Sequence, residues 1–289
     1  GRTNISNLSV IENQVSDQTL SVVQSSPVVT LDSPGIINLS NATAYSVSGS
    51  CQVTAGQVTV TVGSVVVGTT CTAGSFSTSV NVAGLADGPS ITVSAAQTNF
   101  AGTGTSSRPT SKDTTAPATP VFTGPADGSF VGSATPTISG TAEPGSTVRV
   151  IVGGVTVCTA LAQGNGVWTC TTSTIADGSR SLTTTATDPA GNTSAVSPPR
   201  TITVDTTPPA APLINSPAQS ATVGPNPTIS GTSEAFATVT VTEGAGTVCT
   251  VTANNLGQWS CPTTFGPSMR TISATQRDRA NNASPAAPN

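Results

Sequence analysis

Apolar and polar side chains alternate in short runs along this chain, most plainly at Thr147–Val152, where Val148, Val150 and Val152 fall on one face and Arg149 on the other. A period of two is that of a strand with one face against a core and one in solvent. Runs of this character predict strands at 120–123, 137–141, 147–152, 155–160, 167–171, 181–187 and 201–204. Gly153-Gly154 marks a tight connection and residues 162–166, rich in Gly and Asn, mark a turn. Turn signals at this spacing suit a seven-stranded β-sandwich. No segment carries the long periodic run of Leu, Glu, Lys and Ala that a helix needs, so the chain reads as all-β.

The pattern repeats. PTISGT at 136–141 returns at 227–232, with YSVSGS at 45–50 a divergent copy, so Gly49, Gly140 and Gly231 lie 91 residues apart. Cys158, Trp168 and Cys170 return at the same shift as Cys249, Trp259 and Cys261. Thr19, Thr110 and Thr201, again 91 apart, open three versions of the stretch RTITVDTTPP at 200–209. Self-similarity at a fixed period signals tandem units. Boundaries fall at the joints rich in Pro and Thr, which proline stiffens by fixing φ and restricting the residue before it. The expected division is an N-terminal strand segment at 1–27 and domains at 28–115, 116–207 and 208–289, each large enough to bury a modest core.

Six cysteines without a single histidine, in spacings that repeat, predict three disulfides and an oxidising, extracytoplasmic location. Cys158 and Cys170 are symmetric about Gly164, and Cys249 and Cys261 about Asn255. Hairpins folded at those centres would set each pair opposite one another and give cross-strand bonds. In the first domain Cys51 and Cys71 form the third pair from different positions, and Phe76 takes the place of Trp168 and Trp259. Strand parity leaves open whether the tryptophans face the core or the outside.

Composition narrows the function. A net charge of −4 with nine scattered Lys and Arg offers no basic stripe to a phosphate backbone, and one tyrosine gives little for stacking bases, so nucleic acid is not an expected partner. No apolar run reaches the roughly 20 residues that span a bilayer, so no membrane span is expected in the chain. Without histidine, Ser or Cys triads lack their usual base and zinc its commonest nitrogen ligand. The one lysine, Lys112, lies in a joint. No enzyme is expected. Two tryptophans tied to disulfide hairpins make a poor aromatic platform, which leaves a carbohydrate-binding module a minor alternative.

Val204-Asp205-Thr-Thr-Pro-Pro, Ala176-Asp177-Gly178 and Asp188-Pro-Ala-Gly-Asn192 resemble the bacterial immunoglobulin-like repeats of large surface and biofilm adhesins. The resemblance covers most of residues 28–289 and weakens in the first domain, where Asn99-Phe100-Ala101-Gly102 replaces the Asp-Pro-Ala-Gly-Asn turn. It implies three tandem Ig-like sandwiches in an elongated rod and a stalk or spacer role at a bacterial cell surface. It also implies calcium at the domain junctions, for which the matching residues are Asp113, Asp127, Asp188, Asp205 and Asp278. Calcium wants six to eight oxygens, and each junction gathers few. Turn aspartates accepting N–H bonds are the competing explanation. Asp177-Gly-Ser179-Arg-Ser181 spells D-x-S-x-S, a metal-site pattern from another fold, here in a turn. Arg270, Arg277 and Arg279 make the densest positive cluster, and the end of the third domain is one candidate adhesive face.

The last domain carries no counterpart of the strand at 201–204, whereas Thr19, Leu20, Ser21, Val22 and Val23, followed by Pro27, match that strand with no domain before them. A sheet lacking a strand exposes an edge. The expected partners are therefore copies of this chain, joined head to tail by donor-strand complementation into a filament. Neighbouring Ig-like repeats of a longer adhesin, of which the chain would be an excerpt, are the alternative supply.

Overall fold

The computed structural model describes residues 25–266 and 268–287, and every regular element among them is a strand. The first sandwich holds β1 (Thr30–Leu31), β2 (Tyr45–Ser50), β3 (Val58–Val62), β4 (Val65–Thr69), β5 (Ser75–Val80), β6 (Gly88–Asn99) and β7 (Gly102–Lys112). Its sheets run β1-β2-β5 and β4-β3-β6-β7. The second holds β8 (Val121–Gly124), β9 (Ser129–Val131), β10 (Thr137–Thr141), β11 (Thr147–Val152), β12 (Val155–Leu161), β13 (Val167–Thr171), β14 (Gly178–Thr187) and β15 (Arg200–Val204), ordered β8-β10-β13 and β12-β11-β14-β15-β9. The third holds β16 (Leu213–Ser216), β17 (Thr228–Thr232), β18 (Thr238–Glu243), β19 (Gly246–Thr252), β20 (Gln258–Pro262) and β21 (Ile272–Arg277), ordered β16-β17-β20 and β19-β18-β21.

Contacts gather the chain into two compact units. Of the described residues, one takes in 25–37 and 41–112; the other takes in 38–40 and those from Asp113 on, the second and third sandwiches together.

Each sandwich closes on the inward half of its alternating strands. In the second, Val148 and Val150 of β11, Leu182 and Ala186 of β14, and Ile202 and Val204 of β15 are buried, with Arg149 outside. Both tryptophans face inward: Trp168 is 1% exposed and Trp259 4%. Each ring lies on the glycine of the repeated ISG stretch. A Cβ on Gly140 would stand 2.3 Å from Trp168 Cζ2 and 2.3 Å from the Val121 carbonyl oxygen, and Gly231 meets Trp259 and Leu213 the same way. Gly49 does this for Phe76 in the first sandwich.

Three expectations change. β12 pairs with β11 and β13 with β10, so Cys158 and Cys170 sit in different sheets. Their bond, and that of Cys249 with Cys261, ties the two layers of a sandwich and is not a cross-strand link; the Cα atoms are 6.1 and 6.2 Å apart. Symmetric spacing about a turn is met equally by an arch that crosses from one sheet to the other. Cys51 and Cys71 are also joined, with Cα atoms 5.9 Å apart.

The second change is one of register. Gly88 opposes Lys112 as Gly178 opposes Val204, so Thr110 stands where Ile202 does, and not where Thr201 does. A slip of one residue exchanges the faces of a strand, and Thr110 is accordingly buried while Thr201 is exposed. The third is β9, which lies parallel to β15. At three residues it is too short to show an alternation.

Candidate functional site at the domain joints

The turn after β14 and the turn after β21 are built alike. The Asp188 carboxylate accepts the Asn192 backbone N–H at 2.8 Å on Oδ1 and the Asn192 side-chain amide at 2.8 Å on Oδ2. Asp278 receives Asn282 in the same way, at 2.9 and 2.8 Å. Held in that orientation, each asparagine donates its remaining amide hydrogen to a joint carbonyl. Asn192 reaches the Asp113 oxygen at 2.9 Å and Asn282 reaches the Asp205 oxygen at 2.7 Å. In the first unit Asn99 donates to the Ser25 carbonyl at 2.8 Å. The stretch leading into each sandwich is thus pinned by an asparagine of that sandwich.

Side chains of the joints act locally. Asp113 Oδ1 accepts the Thr115 N–H at 3.0 Å and Asp205 Oδ1 the Thr207 N–H at 3.1 Å. Asp127 accepts the Thr201 N–H at 2.7 Å. Asp177 accepts both the N–H and the hydroxyl of Thr206, which makes the D-x-S-x-S stretch a brace for the joint.

Calcium is the ion that the adhesin resemblance implies at these turns. Asp188 and Asp278 are buried, and each carboxylate oxygen of both accepts an N–H donor, a setting that already satisfies the anion with amides. Among the described residues no group of three or more His, Cys, Asp or Glu comes together in a way that would hold a metal ion. The residues of these turns do not fit a calcium shell.

The joint between the second and third sandwiches has a further clasp. The Arg279 guanidinium lies 3.9 Å from the ring centre of Phe130 and 5.7 Å from that of Phe236. A Cβ on Gly132 would come within 2.5 Å of the Ala280 carbonyl oxygen, so the backbones touch. Glu234 sits in this joint with Asp278 and Asp205; partial burial, and then the two carboxylates, raise its pKa. The arginines do not form one cluster. Arg270 precedes β21 and pairs with Glu243 at 3.0 Å, while Arg277 closes β21 and donates to the Asn281 carbonyl. The two lie at opposite ends of a strand.

Asn192, Asn282, Phe130, Phe236 and the role of Arg279 did not emerge from the sequence. The repeated D-x-x-x-N spacing at 188–192 and 278–282 carried a signal for the asparagines. Thr19, Leu20, Ser21, Val22 and Val23 lie outside the described residues.

Stapled two-layer sandwiches in tandem, each with an aromatic ring on an inward glycine and joined by hydrogen-bonded proline stretches, define a chain of immunoglobulin-like domains. Residues 123–206 match the family model described as bacterial Ig-like domain, and residues 215–288 the one described as bacterial Ig domain. The second and third sandwiches are bacterial immunoglobulin-like domains. Among solved structures it is similar to the fibronectin(III)-like modules of Clostridium thermocellum CbhA, at 17% identity and a TM-score of 0.44 over 62% of this chain and 94% of that one. A biofilm-associated protein BSP domain is 21% identical with a TM-score of 0.27, over 63% of this chain and 30% of that one. An I-band fragment of titin is 11% identical with a TM-score of 0.40, over 91% and 96%. No curated protein matches the chain.

Proposed function

We propose that this chain is a non-enzymatic segment of the stalk of a bacterial surface adhesin, in which disulfide-stapled Ig-like modules carry a binding end away from the cell. The family supports an extracellular, structural role. The observation that carries the reading is the joint at Asp205. A spacer must transmit position, and here Asn282 and Arg279 fix the entry to the third sandwich where a flexible linker would leave it free. The disulfides suit an oxidising exterior.

Antibodies raised against the folded second domain should label intact, unpermeabilised cells of the bacterium that makes it, and deleting the encoded segment should weaken attachment to surfaces. Labelling only after permeabilisation would overturn the reading. A second reading, a subunit of a head-to-tail filament, is favoured by one observation. Among the described residues β21 has no neighbour beyond it, whereas β14 in the second sandwich pairs with β15.

A further inference from the structure

We infer that the third sandwich binds one unit of a neutral saccharide in a cleft between its two sheets, where β19 passes β20 beside the Cys249–Cys261 bond. The inference goes beyond the stalk reading and does not depend on it.

The three sandwiches treat this seam differently. In the second, the Ser173 N–H donates to the Val157 carbonyl at 2.8 Å and ties the chain after β13 to β12. In the first, the Thr69 hydroxyl on β4 donates to the Ser77 carbonyl on β5 at 3.3 Å. The pair in the third sandwich that matches Val157 and Ser173, 91 residues on, is Val248 and Thr264. Among the described residues no backbone bond joins these two, and both line a cleft of about 360 Å³. Sites for small molecules begin near that size, at roughly 300 Å³. The cleft lies on the β19 side of the sheet β19-β18-β21, where β18 separates β19 from β21.

The backbone and two side chains explain the opening. Val157 and Val248 are the extra residues of matching bulges in β12 and β19, opposed by no residue of the neighbouring strand, so the carbonyl of each is left to find a partner elsewhere. Val152 and Val155 face each other across the turn between β11 and β12, and Val152 packs on the core. At the same places Glu243 and Gly246 face each other between β18 and β19. A carboxylate is costly to leave among apolar side chains, and Gly246 brings no side chain to fill the seam. Glu243 instead meets Arg270, whose Nη1 lies 3.0 Å from each carboxylate oxygen.

The lining sets donors and acceptors beside apolar surface. The Val248 carbonyl and the Glu243 carboxylate accept hydrogen bonds, the Thr264 N–H donates, and the hydroxyls of Thr247 and Thr264 do either. Thr263 directs its own hydroxyl to the Pro227 carbonyl at 2.6 Å. Pro262 and Phe265 supply apolar surface, and Arg270 lies over the Phe265 ring, 5.2 Å from its centre. Paired with each other, Glu243 and Arg270 offer no net charge to an ion. A pyranose carries closely spaced hydroxyls that donate and accept, together with a face of C–H groups, and so can answer both parts of this lining. A lipid tail would leave the polar groups unpaired, and an anion would meet the Glu243 carboxylate.

The test follows the amides of the full chain by NMR while glucose, galactose, mannose and N-acetylglucosamine are added singly. At least one should shift the amides of 246–248 and 263–265 saturably at millimolar concentration, and galacturonate and inorganic phosphate should bind at least several-fold more weakly. Glu243→Val/Gly246→Val, which installs the pair found in the second sandwich, should abolish the shifts. Thr247→Val keeps the shape, loses the hydroxyl and should weaken binding several-fold. Both variants should keep the buried-tryptophan emission of the parent; if the double variant does not fold, Thr247→Val decides alone. The inference is overturned if none of the four sugars shifts these amides saturably, if galacturonate or phosphate binds as tightly as the best sugar, or if affinity is unchanged in either folded variant. None of these outcomes bears on the surface-labelling test of the stalk reading.

Discussion

The guanidinium of Arg279 stands 3.9 Å from the ring centre of Phe130, with Phe236 on its other side at 5.7 Å, so one side chain of the third sandwich is held by aromatic faces from both sandwiches of the unit. A cation over a ring is worth about 0.5–1 kcal/mol when exposed and more when water is excluded. Arg279→Ala should therefore uncouple the two sandwiches by about 1–2 kcal/mol. In calorimetry the melting of the second and third sandwiches should separate further in the variant than in the parent. Arg279→Lys should restore only part of the coupling, because an ammonium lacks the planar face that stacks on a ring.

What the sequence shows of this joint and what it hides follow from range. β10, β11 and β13 fall at the predicted limits because alternation and Gly or Asn turns are local signals. The contact of Arg279 with Phe130 joins residues far apart in the chain, and no local pattern encodes it. Cys158 and Cys170 show an intermediate case: the spacing identifies the pair, but a hairpin and an arch satisfy it equally, and only the pairing of β13 with β10 decides between them. The asparagine turns are half legible, since the adhesin resemblance points to Asp188 and Asp278 as calcium ligands and not to Asn192 and Asn282, which donate to their oxygens.

Gly140 is tied to Trp168 by space. A methyl group there would meet the indole and the Val121 carbonyl oxygen together, and neither can yield without moving β8 or the ring. Gly140→Ala should cost the second sandwich about 3 kcal/mol, the upper range for overpacking a core. Urea unfolding followed by tryptophan emission gives the measurement. Gly164→Ala, where an added Cβ meets nothing within 4 Å, should cost far less and serves as the control.

Because the bond of Cys158 with Cys170 spans the two layers, its removal frees one sheet from the other. Closing a loop of this length contributes about 3 kcal/mol in the chain-entropy account. The double variant Cys158→Ala/Cys170→Ala should lose roughly that amount, and Trp168 on β13 should become more accessible to quenchers before global unfolding. Unchanged quenching below the unfolding transition would count against the bond's holding the layers together.

Glu234 gives the joint a pH dependence. Its folded pKa lies above the ordinary value of 4.5, mainly through partial burial and then through Asp278 and Asp205. Ionising it therefore costs more in the folded chain than in the unfolded one. That penalty is present above the raised folded value and disappears as pH falls to the ordinary value. Glu234→Gln should raise the melting temperature of the third sandwich near neutral pH, and the gain should vanish below about pH 4.5. Solvent screening keeps the effect under about 0.5 kcal/mol, and added salt should shrink it.

Asn282 and calcium can be set against each other in one experiment. If the Asp278 turn is completed by Asn282, then Asn282→Ala removes the side-chain bonds to the Asp205 carbonyl and to Asp278 Oδ2 and leaves that oxygen of a buried carboxylate without its amide donor. Only the backbone N–H donor on Oδ1 would survive. A loss of about 2–3 kcal/mol in the third sandwich follows from hydrogen bonds to a charged group. The parent chain should melt at the same temperature with millimolar calcium or with a chelator, since its carboxylate oxygens are already engaged. A calcium-dependent rise of several degrees in the parent would instead show that the carboxylates prefer a cation to the asparagine.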